Sequence, residues 1–189
     1  ISMFIGNIFG EFKIAEGLSF KSNFSFQDRN SDQRYYQKNN LPKAYSRSGW
    51  AKTNDSRVNV FTNTNTLSYN KKIDNHNINA VLGQSVELFK FTSLMTSNAG
   101  FENDLLMYYA PNTAEFNDPD KLLYSDSKLA SFFGRVNYSY NNKWLLTLTG
   151  RMDGSSKFAE NNKFGFFPAI ALGYNIGNET FFQDIDQIS

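Results

Sequence analysis

Residues 128–176 have the sequence KLASFFGRVNYSYNNKWLLTLTGRMDGSSKFAENNKFGFFPAIALGYNI. Apolar and polar side chains alternate through three segments of this stretch, with exceptions at Leu129 and Phe133. Because successive side chains of a strand point to opposite faces, the alternation predicts three strands with one apolar and one polar face. The apolar face would carry Phe132, Val136, Leu146, Leu148, Ile170 and Leu172. Either a protein core or membrane hydrocarbon must cover that face.

The composition excludes several classes of partner and site. The 189 residues carry a net charge of +1, and basic residues are scattered among acidic ones, so no nucleic-acid partner is expected. Cysteine is absent, which excludes disulfides and thiolate metal sites. No apolar run reaches the roughly 18 residues of a transmembrane helix, and the first residues lack the pattern of a signal peptide. The 19 Phe, 10 Tyr and 2 Trp favour strands.

Four further segments with strand character precede this stretch. Residues 8–14 and 18–26 alternate on either side of a short turn, which predicts a hairpin. Residues 57–69 predict a weaker strand, because TNTNTLSY is polar on both faces, and residues 76–87 alternate cleanly. The sequence therefore predicts about seven strands.

The connections between these strands alternate strictly between short and long. Short turns occupy residues 15–17, 70–75 and 141–143, and long polar loops occupy residues 28–56, 89–127 and 153–163. An up-and-down sheet with these connections has all short turns at one rim and all long loops at the other, as outer-membrane barrels do. Four aromatic residues flank the short turns and would form an interfacial girdle: Tyr69, Tyr138, Tyr140 and Trp144.

We therefore predict an all-β fold in which antiparallel up-and-down strands form an arc of a large transmembrane β-barrel. Further protein must complete the barrel, because open sheet edges are not tolerated in lipid. The alternative is a soluble β-sandwich or jelly-roll carbohydrate-binding module, which alternation and aromatic-rich loops would also suit. A glycan-cleaving enzyme ranks last, since no pair of carboxylates with suitable separation stands out.

Residues 132–176 closely resemble a barrel segment of the SusC/RagA-type TonB-dependent outer-membrane transporters. The motifs that carry the resemblance are GRVNYSY at 134–140, an arginine before DGSSKF at 151–158, NNKFG at 161–165, and FP at 167–168. Residues 65–85 also resemble the hairpin that precedes these motifs in the family. The sequence departs from the family at Gly150, where a bulkier residue is common, and at Tyr174, where tryptophan is usual.

The resemblance implies a barrel of about 22 strands with an N-terminal plug, set in the outer membrane of a Gram-negative bacterium. It also implies a SusD-like surface lipoprotein as partner, energy supplied through TonB, and import of glycans or peptides. Neither the plug nor the TonB-contacting segment is expected among these residues, so residues 1–189 would form only part of the barrel.

One group of candidate site residues is the family-motif loop. Its members are Asp153, Gly154, Ser155, Ser156, Lys157 and Phe158. An aspartate with two hydroxyls would suit a sugar or a cation, whereas a structured strand end with Asp153 capping backbone amides is the plainer reading. The resemblance transfers no catalytic role to this loop.

Two further groups follow from the barrel prediction. Charged residues on the polar parity would face the lumen, where they would contact a plug or remain hydrated: Lys21, Glu87, Arg135 and Arg151. Aromatic residues of the long loops would contact a substrate or a partner protein, or pack the loops together: Tyr35, Tyr36, Tyr45, Trp50, Tyr108 and Tyr109.

No catalytic residue, cofactor or metal site is predicted. The oxygen-rich turn at 117–120 lacks the spacing and bidentate glutamate of a dedicated calcium loop, so a solvated turn is expected there. The single histidine, His76, lies beside a short turn, and no GxSxG elbow accompanies it.

Overall fold

The computed structural model describes residues 1–41, 48–159 and 163–179. Seven strands follow one another along the chain: β1 (Ser2–Ala15), β2 (Leu18–Gln37), β3 (Trp50–Ile73), β4 (His76–Ala99), β5 (Phe116–Tyr140), β6 (Trp144–Ser155) and β7 (Phe164–Tyr174). Short 3-10 turns lie at Met107–Tyr109, Pro111–Thr113 and Ile176–Asn178. None of the helices in the described part of the chain is long and apolar enough to cross a membrane.

All seven strands belong to one sheet whose spatial order is the order of the sequence. Each strand therefore pairs with the next one along the chain, and within the described residues the sheet is unclosed, with β1 and β7 at its edges. The predicted all-β, up-and-down antiparallel architecture is confirmed.

The register of the last three strands aligns their apolar parities. Val136 of β5 lies opposite Leu148 of β6, and Leu148 lies opposite Ile170 of β7. Because paired residues lie on the same face of a sheet, these side chains form one apolar row. The adjacent row, of the opposite parity, pairs Arg135 with Thr149. The segments of 128–176 thus build one two-faced sheet.

The apolar face is not covered by a second layer of the described residues. Phe132 is 49% exposed, Ile170 69% and Leu172 81%. The buried apolar residues among those described are Ala51, Ala99, Phe101 and Ala114. A sandwich or jelly roll buries the inner faces of two packed sheets, so the alternative predicted from the sequence is not the fold observed.

The strands run further than the alternation indicates. The three long connections comprise residues 38–49, 100–115 and 156–163, and each is shorter than predicted. Polar pairs hold the extra strand residues: Thr53 with Thr96, Ser93 with Asn54, and Arg57 with Asp28. Apolar and polar residues do not alternate regularly in these extensions, and period-two alternation therefore does not mark them as strands.

The chain divides into two compact units, and the strands β1 to β5 contribute to both. The first unit comprises Ile1–Gly6, Phe26–Val60 and Phe89–Asp126, and it includes the long connections at 38–49 and 100–115. The second unit comprises Asn7–Ser25, Phe61–Leu88 and the chain from Ser127 onward. It contains the short turns and the whole of β6 and β7.

The polar run of β3 is a strand because its side chains find partners in the second unit. Thr64 shares a hydrogen bond of 2.9 Å with Ser85 of β4. On the opposite parity, Asn63 donates to the backbone carbonyl of Asn23, and Asn65 donates to the Asn63 side chain. Hydrogen bonds to neighbouring strands thus satisfy amides that would otherwise be costly on an apolar face.

Backbone conformation fixes the short turns. Gly17 has φ +76°, and a Cβ at this position would lie 2.1 Å from the carbonyl oxygen of Asn70. Glycine is therefore required where the β1–β2 turn contacts β3. Asn141 and Asn142 both have positive φ in the β5–β6 turn, a conformation that asparagine tolerates better than most residues.

In the predicted membrane barrel, Leu148→Arg would carry a charge into hydrocarbon, and for a position near the bilayer midplane we expect this to destabilise the complete barrel by about 2–4 kcal/mol. Thr147→Arg, on the polar parity one residue away, should cost far less. The measurement is a denaturant titration of refolding into lipid vesicles. Equal costs for the two substitutions would contradict the assignment of the two faces.

Candidate functional site

The first three residues of the family-motif loop, Asp153–Ser155, belong to β6, where Asp153 pairs with Arg151 of the same strand. The Arg151 Nε donates to both carboxylate oxygens of Asp153, at 2.9 and 2.7 Å, and an Arg151 terminal nitrogen donates to Ser131 at 3.2 Å. Backbone amides of the loop are met by hydroxyls: Lys157 donates to Ser155 Oγ, and Lys128 donates to Ser156 Oγ. The expected capping of the loop by Asp153 is therefore replaced by the two serines.

Arg151 also contacts an aromatic ring on the polar face. Its guanidinium lies 5.9 Å from the centroid of the Phe133 ring, within the range of a cation–π contact. The Phe133 ring in turn covers Gly83 of β4, where an added Cβ would lie 2.3 Å from a ring carbon. Phe133, an exception to the alternation, thus packs over a glycine and beside the arginine.

The other predicted polar-face residues share this face. Arg135 Nε donates to Thr149 at 3.3 Å, and Glu87 has the same β4 parity as Gly83. Lys21 of β2 has the parity opposite to Phe24, which contacts Phe61 on the apolar face. The Lys21 ammonium lies 4.3 Å from the ring centroid of another residue, Phe9. The parities of these charged residues are those expected for the polar face.

Two of the loop aromatics form a small core in the first unit. Tyr36 and Tyr108 pack against the buried cluster of Ala51, Phe101 and Ala114. The Tyr36 hydroxyl donates to a carboxylate oxygen of Asp104 at 2.6 Å, and the backbone N–H of Asn39 donates to the same oxygen at 3.3 Å. Burial, together with the Asp104 carboxylate, raises the pKa of Tyr36 well above its usual value. These contacts fold one long connection onto the other.

The remaining loop aromatics are more accessible. Tyr35 is 50% exposed, and its ring meets the Trp50 indole edge-on with centroids 5.7 Å apart. Tyr109 is 78% exposed, and its ring lies 4.5 Å from that of Tyr108. Tyr45 lies outside the residues that the structure describes. Tyr35 and Tyr109 are therefore exposed, whereas Trp50 and Tyr36 are partly buried.

The remaining polar candidates have other surroundings. His76 shares a 2.7 Å hydrogen bond with the Tyr138 hydroxyl, beside the short turns. Residues 117–120 were expected to form a solvated turn but belong to β5, because Asn98 and Ser97 of β4 donate to Asn117 and Asp118. Among the described residues, no three His, Asp or Glu side chains are placed to hold a metal ion.

Sequence reasoning missed several residues that organise these contacts. Asp104 is one of many polar loop residues, and its link to Tyr36 spans 68 positions. Ser97 accepts a hydrogen bond from the Trp50 indole N–H and donates one to Asp118, and both partners are distant from it in the sequence. The clue at Gly83 was available, since a glycine inside a clean strand signals close approach of another group.

We expect Gly83→Ala to destabilise the complete barrel by about 1–3 kcal/mol, because the new methyl group must displace the Phe133 ring. Gly10→Ala is the matched control, since its Cβ would meet only Phe12, at 3.5 Å. A denaturant titration measures both, and adding Phe133→Ala should recover most of the Gly83→Ala loss. No recovery in the double variant would show that the ring is not the cause.

We expect Tyr36→Phe to loosen the two long connections by about 1–3 kcal/mol, since Asp104 loses its charge-assisted partner. The rate of limited proteolysis at residues 100–115 measures the loss, with Tyr109→Phe as the exposed control.

The same variant tests the raised Tyr36 pKa. A raised pKa gives stability that is complete below the usual tyrosine pKa of 10.0 and declines as the pH rises beyond it. Above about pH 10, the protease sensitivity of the unaltered protein should therefore rise more steeply with pH than that of Tyr36→Phe. Parallel pH curves for the two proteins would contradict the assigned role of Tyr36.

Comparison with known proteins shows which family this chain resembles. The family model described as TonB dependent receptor-like, beta-barrel, matches residues 7–183. The chain is 34% identical over 189 residues to TonB-dependent receptor P26 of Formosa agariphila, covering 96% of this chain and 19% of that protein. It is 49% identical over 61 residues to TonB-dependent receptor SusC of Bacteroides thetaiotaomicron, covering 32% of this chain and 6% of that protein.

Solved structures show the same fold. The RagAB peptide transporter superposes with a TM-score of 0.83 at 24% identity, covering 95% of this chain and 20% of that chain. Three curated relatives match most of this chain, and the chain spans about a fifth of their length. The family match over most of the chain and the unclosed up-and-down sheet agree with the resemblance found in the sequence. The chain belongs to the TonB-dependent receptor-like β-barrel family.

Proposed function

We propose that this chain is a wall segment of an outer-membrane transporter that imports nutrients with energy supplied through TonB. The supporting observation is the sheet itself, which has one exposed apolar face and one polar face, in a chain whose sequence matches a family of receptor barrels. In this proposal, lipid solvates Phe132, Leu148 and Ile170, which are 49%, 43% and 69% exposed. Their transfer out of water contributes to insertion at about 25 cal/mol per Å².

The polar face is proposed to line the lumen and to contact a plug. Arg135, Arg151 and Glu87 share this face, and Lys21 has the corresponding parity on β2. Arg151 is already paired with Asp153 and with the Phe133 ring, so it is suited to shaping the wall. Lys21 and Glu87 have no carboxylate or ammonium partner within 4 Å in the described residues, and they would interact more readily with a plug or a passing solute.

The long connections are proposed to lie at the cell surface and to meet a SusD-like lipoprotein. Tyr109 lies in one of them, and Tyr35 and Trp50 lie near the strand ends that adjoin them. Aromatic side chains of this kind often anchor interfaces. The relatives named SusC and RagAB support such a partner, and the latter is described as a peptide transporter. Glycans or peptides are the proposed cargo, and no catalytic step is assigned to this segment.

Uptake by the intact bacterium tests this proposal. Deleting the full gene should abolish growth on one class of nutrient, either glycan or peptide pools offered as sole carbon source, and deleting TonB should have the same effect. The control is growth on glucose, which both strains should retain.

Cell fractionation gives an independent check. The full-length protein should remain in the outer-membrane fraction and require detergent for release, because its apolar face is solvated by lipid. Recovery in the soluble fraction, or uptake that persists without TonB, would contradict the proposal.

A further inference from the structure

A cavity of about 480 Å³ lies in the first unit, where β3, β4 and β5 adjoin the long connections. Trp50 at the beginning of β3 lines it, together with Met95 and Ser97 of β4 and Asp118 of β5. Its volume is within the range of small-molecule sites in proteins. None of the groups discussed above for the polar face of the second unit belongs to it.

The aromatic wall of this cavity is held in place. The Trp50 Nε1 donates to Ser97 Oγ at 2.9 Å, and Ser97 Oγ donates to the Asp118 carboxylate at 2.8 Å. The Tyr35 ring meets the indole edge-on, at 70°. The indole is therefore fixed by two hydrogen bonds in series and one ring contact. A fixed aromatic surface binds a ligand with less loss of side-chain freedom than a mobile one.

The lining of the cavity combines apolar surface with charges of both signs. Trp50, Met95 and Pro119 supply apolar surface. Lys52 and Lys121 supply ammonium groups, and Asp120 supplies a second carboxylate. These three charged residues are exposed, so their heads are available to a ligand at the rim.

We infer that this cavity binds a short peptide segment, with an apolar side chain on Trp50 and the peptide's own charges at the rim. A neutral glycan carries no charge that could pair with the lysine or aspartate groups at the rim. A zwitterionic peptide compensates both, its carboxylate with lysine and its ammonium with aspartate. The inference rests on the proposed import function and narrows its cargo to peptides.

Binding to the full-length transporter in detergent tests the inference by calorimetry. The probe is a pool of tripeptides with leucine or phenylalanine in the middle and free termini. We expect Trp50→Ala to weaken binding by about tenfold or more, as truncation of a central aromatic anchor does. Trp144→Ala is the matched control and should bind as the unaltered protein does, because Trp144 lies beside Tyr174 near a short turn.

A second variant keeps the test informative if Trp50→Ala fails to fold. Lys52→Gln combined with Asp120→Asn leaves the indole and its hydrogen bonds intact. The unaltered protein should prefer the free tripeptides to the same peptides with acetylated and amidated termini, and the double variant should lose that preference.

Three outcomes would overturn the inference. Equal binding by Trp50→Ala and Trp144→Ala would remove the site, and equal binding of free and capped peptides would remove the charge match. Trp50-dependent binding of malto-oligosaccharides in place of peptides would make the ligand a glycan. Import and TonB dependence are measured separately, so a failure of the transport proposal would leave these binding results standing.

Discussion

Backbone pairing in a single register links β5, β6 and β7 and determines which side chains share a face. A shift of one residue between two strands would move the apolar side chains of one strand onto the polar face of its neighbour. The observed register places Val136, Leu148 and Ile170 in one row, and Arg135 and Thr149 in the next. The same pairing satisfies the backbone groups, which have no other partner in hydrocarbon. The strand register therefore determines both the face on which each side chain lies and the environment that it meets.

Much of this arrangement could be predicted from the sequence where one face is apolar. Residues 128–176 predicted three strands, the faces of their side chains and the turn at 141–143, because period-two alternation reports a difference between two environments. The same signal is missing at 28–37, 89–99 and 116–127, where apolar and polar residues do not alternate regularly. These residues were assigned to loops, although they continue β2, β4 and β5.

The contacts of the candidate site were less predictable, because they join residues that are distant in sequence. Tyr36 was recognised as a loop aromatic, but its partner Asp104 had no distinguishing pattern. The bridge from Trp50 through Ser97 to Asp118 likewise depends on how two connections and three strands meet. Arg151 was predicted to lie on the polar face from its parity, whereas its contact with Phe133 depends on a glycine in a third strand. Alternation indicates the face of a residue and not its neighbour across the sheet.

The sequential strand order has a consequence for assembly. Since each strand pairs with the next one, no pairing has to wait for a distant part of the chain. The entropy of loop closure favours the hairpins β1–β2, β3–β4 and β5–β6 first, because only two or three residues connect their strands. The longer connections then join ready-made hairpins to one another. A wall built in this way grows two strands at a time, so a gain or loss of one hairpin changes its circumference without rearranging the pairs that remain.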